Sequence, residues 1–385
     1  MRVLQIGKYY PPYMGGIETH LRALCGGLAR EMQVEVLVAG NRAREIKEHI
    51  DGIFVTRVAT PLRLASAPIC PTLAARIRAS NPQLVHIHLP NPAAVLAYLA
   101  SGHGGPLVVT YHSDTVKQKF LGRLFEPLLH RFLNRASVII ATSPNYLESS
   151  PVLLRHRDRC KVIPYGITVE EFSRPPESDV SLIRRRFGQR LLIAVGRMVY
   201  YKGFEYLVKA MPGIRGHLLL VGDGPLATPL MNLATSLGVA ERITFLGNLP
   251  NEAVIPYYHA AEVFVLPSIA RSEAFGIVQI EAMAAGKPVV NTELDSGVPY
   301  VSKNGITGIT VEPKNSAALA EAINLLLDNP DLRSRYGAAG QARTYAEFSL
   351  EKMTSRTREA YATALGSACC RSKTRRPSQE FQTGP

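Results

Sequence analysis

Short runs of branched apolar residues, each followed by a stretch of helical period, recur from one end of this 385-residue chain to the other. The first half offers VLQI (Val3–Ile6), VEVLV (Val34–Val38), LVHIH (Leu84–His88), LVVTY (Leu107–Tyr111) and SVIIAT (Ser137–Thr142). The second offers LLIAV (Leu191–Val195), HLLLV (His217–Val221), ITFL (Ile243–Leu246), VFVL (Val263–Leu266) and PVVN (Pro288–Asn291). A strand that is apolar on both faces has no side to give to water. It must lie in a sheet covered by helices above and below, and such sheets are parallel. Amphipathic stretches such as Glu18–Arg30 and Phe120–Leu133 supply the covering helices. The scheme runs twice, so the expected fold class is α/β, with two doubly wound domains.

The chain length suits two domains of ordinary size. The Pro- and Gly-bearing segment Pro164–Gly188 is the natural boundary. It predicts a first domain over residues 1–170 and a second over 171–348. A last helix follows over 349–365, and then a disordered tail over 366–385, rich in Ser, Arg, Thr, Pro and Gln. MRVLQIG at the start reads as a strand rather than a cleavable signal, and no run of about 18 apolar residues occurs. The expected location is therefore cytoplasmic. The five cysteines (Cys25, Cys70, Cys160, Cys369, Cys370) lack metal-ligand spacing and read as reduced thiols.

The net charge of +13 is uneven, with +9 in residues 1–170 and +1 in residues 171–365. A basic first half points to an anionic partner: nucleic acid, a phospholipid surface or a phosphorylated substrate. Within it, KQKFLGRLFEPLLHRFLNR (Lys117–Arg135) borders an apolar side with basic residues. That pattern suits an anionic membrane surface, or else simple packing on the sheet, and Pro127 interrupts it. No nucleic-acid-binding motif accompanies the charge.

In open α/β sheets ligands sit beyond the carboxyl ends of the strands, so the residues just after each strand carry the information. Gly15 and Gly16 follow the first strand and open a helix, a combination that admits an anion close to the backbone, although a Gly-Gly pair alone reads as an ordinary turn. His112 follows LVVTY at the same edge; His86 and His88 lie inside their strand and read first as core or edge residues. GRMVYYKG places Arg197 and Lys202 just past LLIAV, where two cations suit a diphosphate clamp, though taken alone they also read as ordinary surface charges. GDGPL (Gly222–Leu226) and GNLPNE (Gly247–Glu252) are tight loops, each either framing a base or ribose or serving as a mere turn. SEAFGIVQIEAMAAGKPVV (Ser272–Val290) puts Glu273 before a helix opened near Gly276, with Glu281 about two turns further on. Helix amides there suit an anion, and the two carboxylates suit sugar hydroxyls better than one proton relay.

Together these segments resemble the large retaining glycosyltransferase family often called family 4, whose signature is E-x7-E. The Gly-Gly loop, the YHSD segment, the GR…KG clamp, the GDGPL loop and the E-x7-E helix occur in the family's order. The resemblance implies a GT-B fold, two Rossmann-like domains with an interdomain cleft, the first domain on the acceptor side and the second binding a nucleotide sugar. It implies that Gly16 holds donor phosphates and that Arg197 and Lys202 neutralise the diphosphate. Glu273 would bind the transferred sugar, beside the backbone amides of Phe275, Gly276 and Ile277. Glu281 would bind the ribose, and Gly222 and Gly247 would line the donor. His112 would lie by the sugar and acceptor, and the last helix would cross back onto the first domain. No metal or other cofactor is expected, since no Asp-x-Asp motif occurs. GRMVYYKG and NTELDSGVPYVS (Asn291–Ser302) look most like bacterial mannosyl- and rhamnosyltransferases of surface-polysaccharide assembly, which suggests a GDP-linked donor with UDP next, and a glycan or lipid-linked acceptor. Other classes stay open: a related sugar epimerase or phosphorylase, and a noncatalytic basic binding protein. A dehydrogenase is disfavoured because no GxGxxG follows a strand.

Overall fold

A computed structural model describes residues 1–373, apart from 14, 41–43, 65–66 and 115–118. The strands in chain order are β1 (Arg2–Ile6), β2 (Gln33–Ala39), β3 (Ile46–Ile50), β4 (Ile53–Val58), β5 (Leu62–Leu64), β6 (Ala67–Ile69), β7 (Leu84–Leu89), β8 (Leu107–Tyr111), β9 (Val138–Ala141), β10 (Cys160–Val162), β11 (Leu191–Val195), β12 (His217–Val221), β13 (Ile243–Gly247), β14 (Val263–Leu266), β15 (Val289–Thr292) and β16 (Gly308–Val311). Every run read as a strand in the sequence is one. The chain forms two compact units. One comprises 1–141, 152–163 and the segment from Thr354 onward; the other comprises 142–151 and 164–353.

The first unit holds an eight-stranded sheet in the order β10-β9-β8-β7-β1-β2-β4-β3. All neighbours are parallel except β3, which pairs antiparallel with β4 at the edge. This hairpin is not among the strands expected from the sequence. Its turn is Asp51-Gly52, with φ of 51° and 78°, the paired positive values that a two-residue turn needs to match strand twist. The second unit holds a parallel six-stranded sheet, β13-β12-β11-β14-β15-β16. Strand period two divides its core cleanly. Leu191, Ile193, Leu219, Phe264 and Leu266 face one apolar cluster, and Leu192, Ala194, Leu218, Val263 and Val265 face the other. Both faces are thus buried, as the continuous apolar runs require.

Strand order places the sites. In the first sheet the chain leaves β1 toward β2 and later returns on its other side as β7. In the second it leaves β11 toward β12 and returns as β14. These reversals open crevices at the carboxyl ends of β1/β7 and of β11/β14.

The final helix spans Leu350–Lys373, so residues 366–373 are helical rather than a disordered tail. Gly366 weakens a helix by about 1 kcal/mol relative to Ala but does not end it, and the first proline after it is Pro377. The basic segment of the first unit forms the helix Lys119–Leu133 with Pro127 inside it. Phe132 and Leu133 are fully buried, so the end of its apolar side packs on its own unit. Lys117 lies outside the described residues, as do the side chains of residues 119–124. Among the described residues no helix is long and apolar enough to cross a membrane.

Candidate active site

The second unit gathers most of the residues singled out in the sequence. Beyond β11 the chain turns at Gly196 (φ 150°) and presents Arg197, which is exposed. A single 3-10 turn, Tyr200–Lys202, then carries Lys202 inward. Gly203 ends that turn in the left-handed region (φ 67°), where a Cβ would land on the Pro267 carbonyl; only glycine lets these two segments meet. The loop after β14 is tied across by the Ile269 amide donating to the Tyr201 carbonyl at 2.8 Å. The result is an ion pair between Lys202 Nζ and Glu273 Oε2 at 2.6 Å, with both side chains 10% exposed. Ser268 Oγ donates to the same carboxylate oxygen at 3.3 Å. An ammonium has three donors, so Lys202 can hold Glu273 and still meet an anion.

Phe275 is buried between Tyr165 and Phe348, and Gly276 (φ 78°) caps the helix Ile277–Ala284. The first amides of a helix have no partner within it, and its dipole favours negative charge there. Gln279, fully buried, donates to the carbonyls of Phe275 and Val298 and accepts from Asn291, which fixes this helix start. Further along, Glu281 Oε2 accepts a hydrogen bond from Tyr258 Oη at 2.7 Å. Burial raises the Glu281 pKa, opposed by the Tyr258 bond and by the charge of Lys202. Gly222 and Gly247 are joined by a backbone hydrogen bond of 2.8 Å. A Cβ on Gly222 would collide with the Gly196 carbonyl, so the loops after β11, β12 and β13 lie backbone on backbone.

Gly16 and His112 belong to the other unit. Gly16 is the first residue of the helix Gly16–Ala29. His112, just past β8, is 1% exposed and its amide donates to the Leu89 carbonyl at 2.9 Å. His86 and His88, whose place inside a strand suits core or edge residues, are buried, but they are also hydrogen-bonded into the surroundings of His112. His88 Nδ1 and His112 Nε2 are 3.0 Å apart, and His20 packs edge-on against both rings. The H-x-H period of two, which puts both side chains on one strand face, was the signal available. Gln5 and Tyr361 join the same group and carried no such signal.

Three histidines so close raise the question of a metal, and His20, His88 and His112 have ring nitrogens all within 4.8 Å of one another. The His88 and His112 rings are 15° from coplanar with centroids 5.2 Å apart. With the 3.0 Å separation, this sets the two nitrogens head-on, as in a hydrogen bond. A metal between them needs about 2.0 Å to each, so head-on nitrogens would have to stand about 4 Å apart. As the rings stand, His88 Nδ1 and His112 Nε2 are too close together to hold a metal between them.

The two largely parallel sheets, each reversing its strand order at one point, define a GT-B glycosyltransferase fold. Among solved structures, the chain is similar to sucrose-phosphate synthase from Thermosynechococcus elongatus (TM-score 0.79, 24% identity, covering 95% of this chain and 100% of that one). It is likewise similar to Anabaena HepE in complex with UDP (TM-score 0.78, 21% identity, 94% and 100%). The sequence matches Glycosyltransferase Family 4 over residues 14–171 and Glycosyl transferases group 1 over residues 183–343. It is 33% identical to D-rhamnosyltransferase WbpZ of Pseudomonas aeruginosa, covering 89% of this chain and 91% of that protein. It is 31% identical to O-antigen chain mannosyltransferase C of Escherichia coli, covering 95% and 100%. This chain belongs to the family 4, group 1 glycosyltransferases, as its motifs led one to expect.

The buried imidazoles make stability depend on pH. Burial holds His20 and His86 down to about 3 and His88 and His112 well below their usual value. Below about pH 6.5 the unfolded chain binds protons that the folded one refuses, so stability is lost as pH falls from there toward about 3. Each such histidine contributes up to about 1.4 kcal/mol per pH unit in that window. The urea midpoint should therefore be clearly lower at pH 5.5 than at pH 7.5; equal midpoints would show that these rings are not buried neutral.

Proposed function

We propose that this glycosyltransferase is a retaining, metal-independent hexosyltransferase that moves mannose or rhamnose from a GDP-linked donor to a glycan or lipid-linked acceptor. The observation that carries the reading is the Lys202–Glu273 pair, whose Glu273 shortly precedes the helix that Gly276 caps, that begins at Ile277 and whose interior bears Glu281. It joins a cation for a diphosphate and a carboxylate for sugar hydroxyls at one helix N-terminus. Arg197, exposed on the adjoining loop, adds a second cation, and Glu281, steadied by Tyr258, suits a ribose. Support for the donor comes from relatives named for D-rhamnosyl and mannosyl transfer, and from a Mycolicibacterium smegmatis relative named as GDP-mannose-dependent (28% identity, 88% of this chain and 92% of that protein).

Chemistry follows from where charge develops. As the bond between the anomeric carbon and the β-phosphate oxygen breaks, the sugar becomes cationic and the diphosphate gains negative charge. Lys202, Arg197 and the amides near Gly276 stabilise the latter, the role a divalent cation has in other transferases. The acceptor hydroxyl attacks on the face the diphosphate is leaving, and its proton passes to a β-phosphate oxygen. Gly16 is assigned to the donor phosphates, and His112, on the acceptor-side unit, to the transferred sugar. Gly222 and Gly247 keep the neighbouring loops close enough to frame the base.

A direct test of the donor is thermal denaturation with GDP, UDP and ADP. GDP at a hundred times its Kd should stabilise the fold by about 2.7 kcal/mol; stabilisation by UDP alone would transfer the proposal to a UDP-linked sugar. The clamp is tested by substitution. Arg197→Ala should lower turnover about a hundredfold, the effect of losing about 2.7 kcal/mol of transition-state stabilisation, with an unchanged Tm because Arg197 is exposed. Lys202→Ala should lose as much activity and also stability, since it leaves Glu273 buried without its counter-charge. EDTA should leave the wild type active; a loss restored by magnesium or manganese would overturn metal independence.

A lipid-linked acceptor would bring the enzyme to a membrane face, and the basic segment Lys117–Arg135 is the part suited to it. Each cation near an anionic surface contributes about 1 kcal/mol. Vesicles containing phosphatidylglycerol should float the protein at low salt, less so at high salt, and less with Lys117, Lys119 and Arg123 changed to Ser. A protein that ignores these vesicles at low salt acts on a soluble acceptor.

A further inference from the structure

Sheet centres are apolar almost by rule, yet the middle of the first sheet carries a continuous polar chain. Gln5 on β1, His86 and His88 on β7 and Thr110 on β8 are all 2% exposed or less. They are bridged by Tyr361 from the final helix, which is fully buried. Buried polar groups persist only when hydrogen-bonded, and here each bond can be given a direction. Gln5 Oε1 lies 3.0 Å from His88 Nε2 and Gln5 Nε2 donates to Tyr361 Oη at 2.8 Å. An amide oxygen only accepts, so His88 carries its proton on Nε2. Burial keeps the His88 ring neutral, and its Nδ1 is then a lone pair. The partner of that lone pair, His112 Nε2 at 3.0 Å, must be the donor. Past Gln5, the Tyr361 hydroxyl accepts from the amide and so turns its own proton to His86 Nδ1, 2.7 Å away. His86 Nε2 then donates to Thr110 Oγ1 at 2.7 Å. All five bonds run one way.

We infer that His88, Gln5 and Tyr361 are positioning residues that hold His112 in its Nε2–H tautomer. The tautomer of a histidine is decided by the bonds its ring nitrogens make, and a wrong tautomer can disable a site whose geometry is otherwise intact. The chain fixes more than a proton. It also ties the ring at the end of β8 to a residue near the end of the polypeptide, so docking of the final helix onto its own unit is a condition for His112 to be set. The catalytic consequence rests on the assignment of His112 to the transferred sugar; the tautomer itself does not.

Two readouts separate these levels. Protein labelled with 15N-histidine reports, through two-bond proton–nitrogen correlations, which ring nitrogen of His112 bears the proton; His112→Gln identifies its signals. The wild type should show Nε2–H. Tyr361→Phe removes the hydroxyl that orients Gln5 and should give a mixture of the two forms. His88→Leu should do the same, while His88→Gln, whose amide oxygen can accept from His112, should restore Nε2–H. A wild-type His112 protonated on Nδ1, or an unaltered tautomer in both Tyr361→Phe and His88→Leu, overturns the inference whatever the kinetics show. GDP release from GDP-mannose reads the second level. Tyr361→Phe should lower kcat at least about tenfold with KM within about twofold, as expected when a reacting group is mis-set while substrate binding is intact. His88→Gln should recover most of the rate. An unchanged kcat in a Tyr361→Phe protein whose tautomer is scrambled overturns the positioning role. If His112→Ala is itself fully active, the assignment of His112 fails while the tautomer result stands on its own.

Discussion

Burial of both faces of the parallel strands in two sheets is the constraint from which the rest of the molecule follows. A strand such as Leu191–Val195, with Leu191 and Ile193 in one apolar cluster and Leu192 and Ala194 in the other, has no position to spare for chemistry. Polar side chains are displaced to the loops at the strand ends, and the reversal of strand order opens space there. Arg197, Lys202 and Glu273 occupy these loops because β11 and β14 are neighbours in the sheet, although dozens of residues separate them in the chain.

Close backbone approach is the second requirement. Gly203 allows the loop after β11 to touch the loop after β14, and Gly222 allows the loop after β12 to touch the first. These approaches bring Lys202 and Glu273 into a pair that is nearly closed off from water. Burying two charges is costly unless they are paired and further hydrogen-bonded, and Ser268 and the 2.6 Å separation answer that condition. The same pairing holds the lysine in place, so that the diphosphate proposed for it would meet a cation already oriented rather than one that must be ordered on binding.

The first unit solves a different problem, since it keeps polar groups inside the sheet. His86 and His88 read from the sequence as core or edge residues and are buried, yet His88 links His112 through Gln5 to Tyr361, and His86 links Tyr361 to Thr110. That outcome depends on β1, β7 and β8 being adjacent and in a register that sets Gln5 beside His86 and His88 beside Thr110. No pairwise pattern along the chain encodes it.

Local sequence determined the class of fold, because continuous apolar strands of this length have few solutions, and the ordered motifs marked the loops and helix starts that carry Gly16, His112, Arg197, Lys202 and Glu273, and the helix that carries Glu281. Even the missed hairpin was written locally, in the Asp51-Gly52 turn between β3 and β4, and the extension of the last helix to Lys373 in the lack of a proline before Pro377. Tertiary structure alone decided the partnerships: Lys202 with Glu273, Tyr258 with Glu281, and Gln5 and Tyr361 with the histidines. A hydrogen bond or ion pair is set by distances of about 3 Å, and distances on that scale between residues far apart in the chain exist only once the sheets have fixed strand order and register.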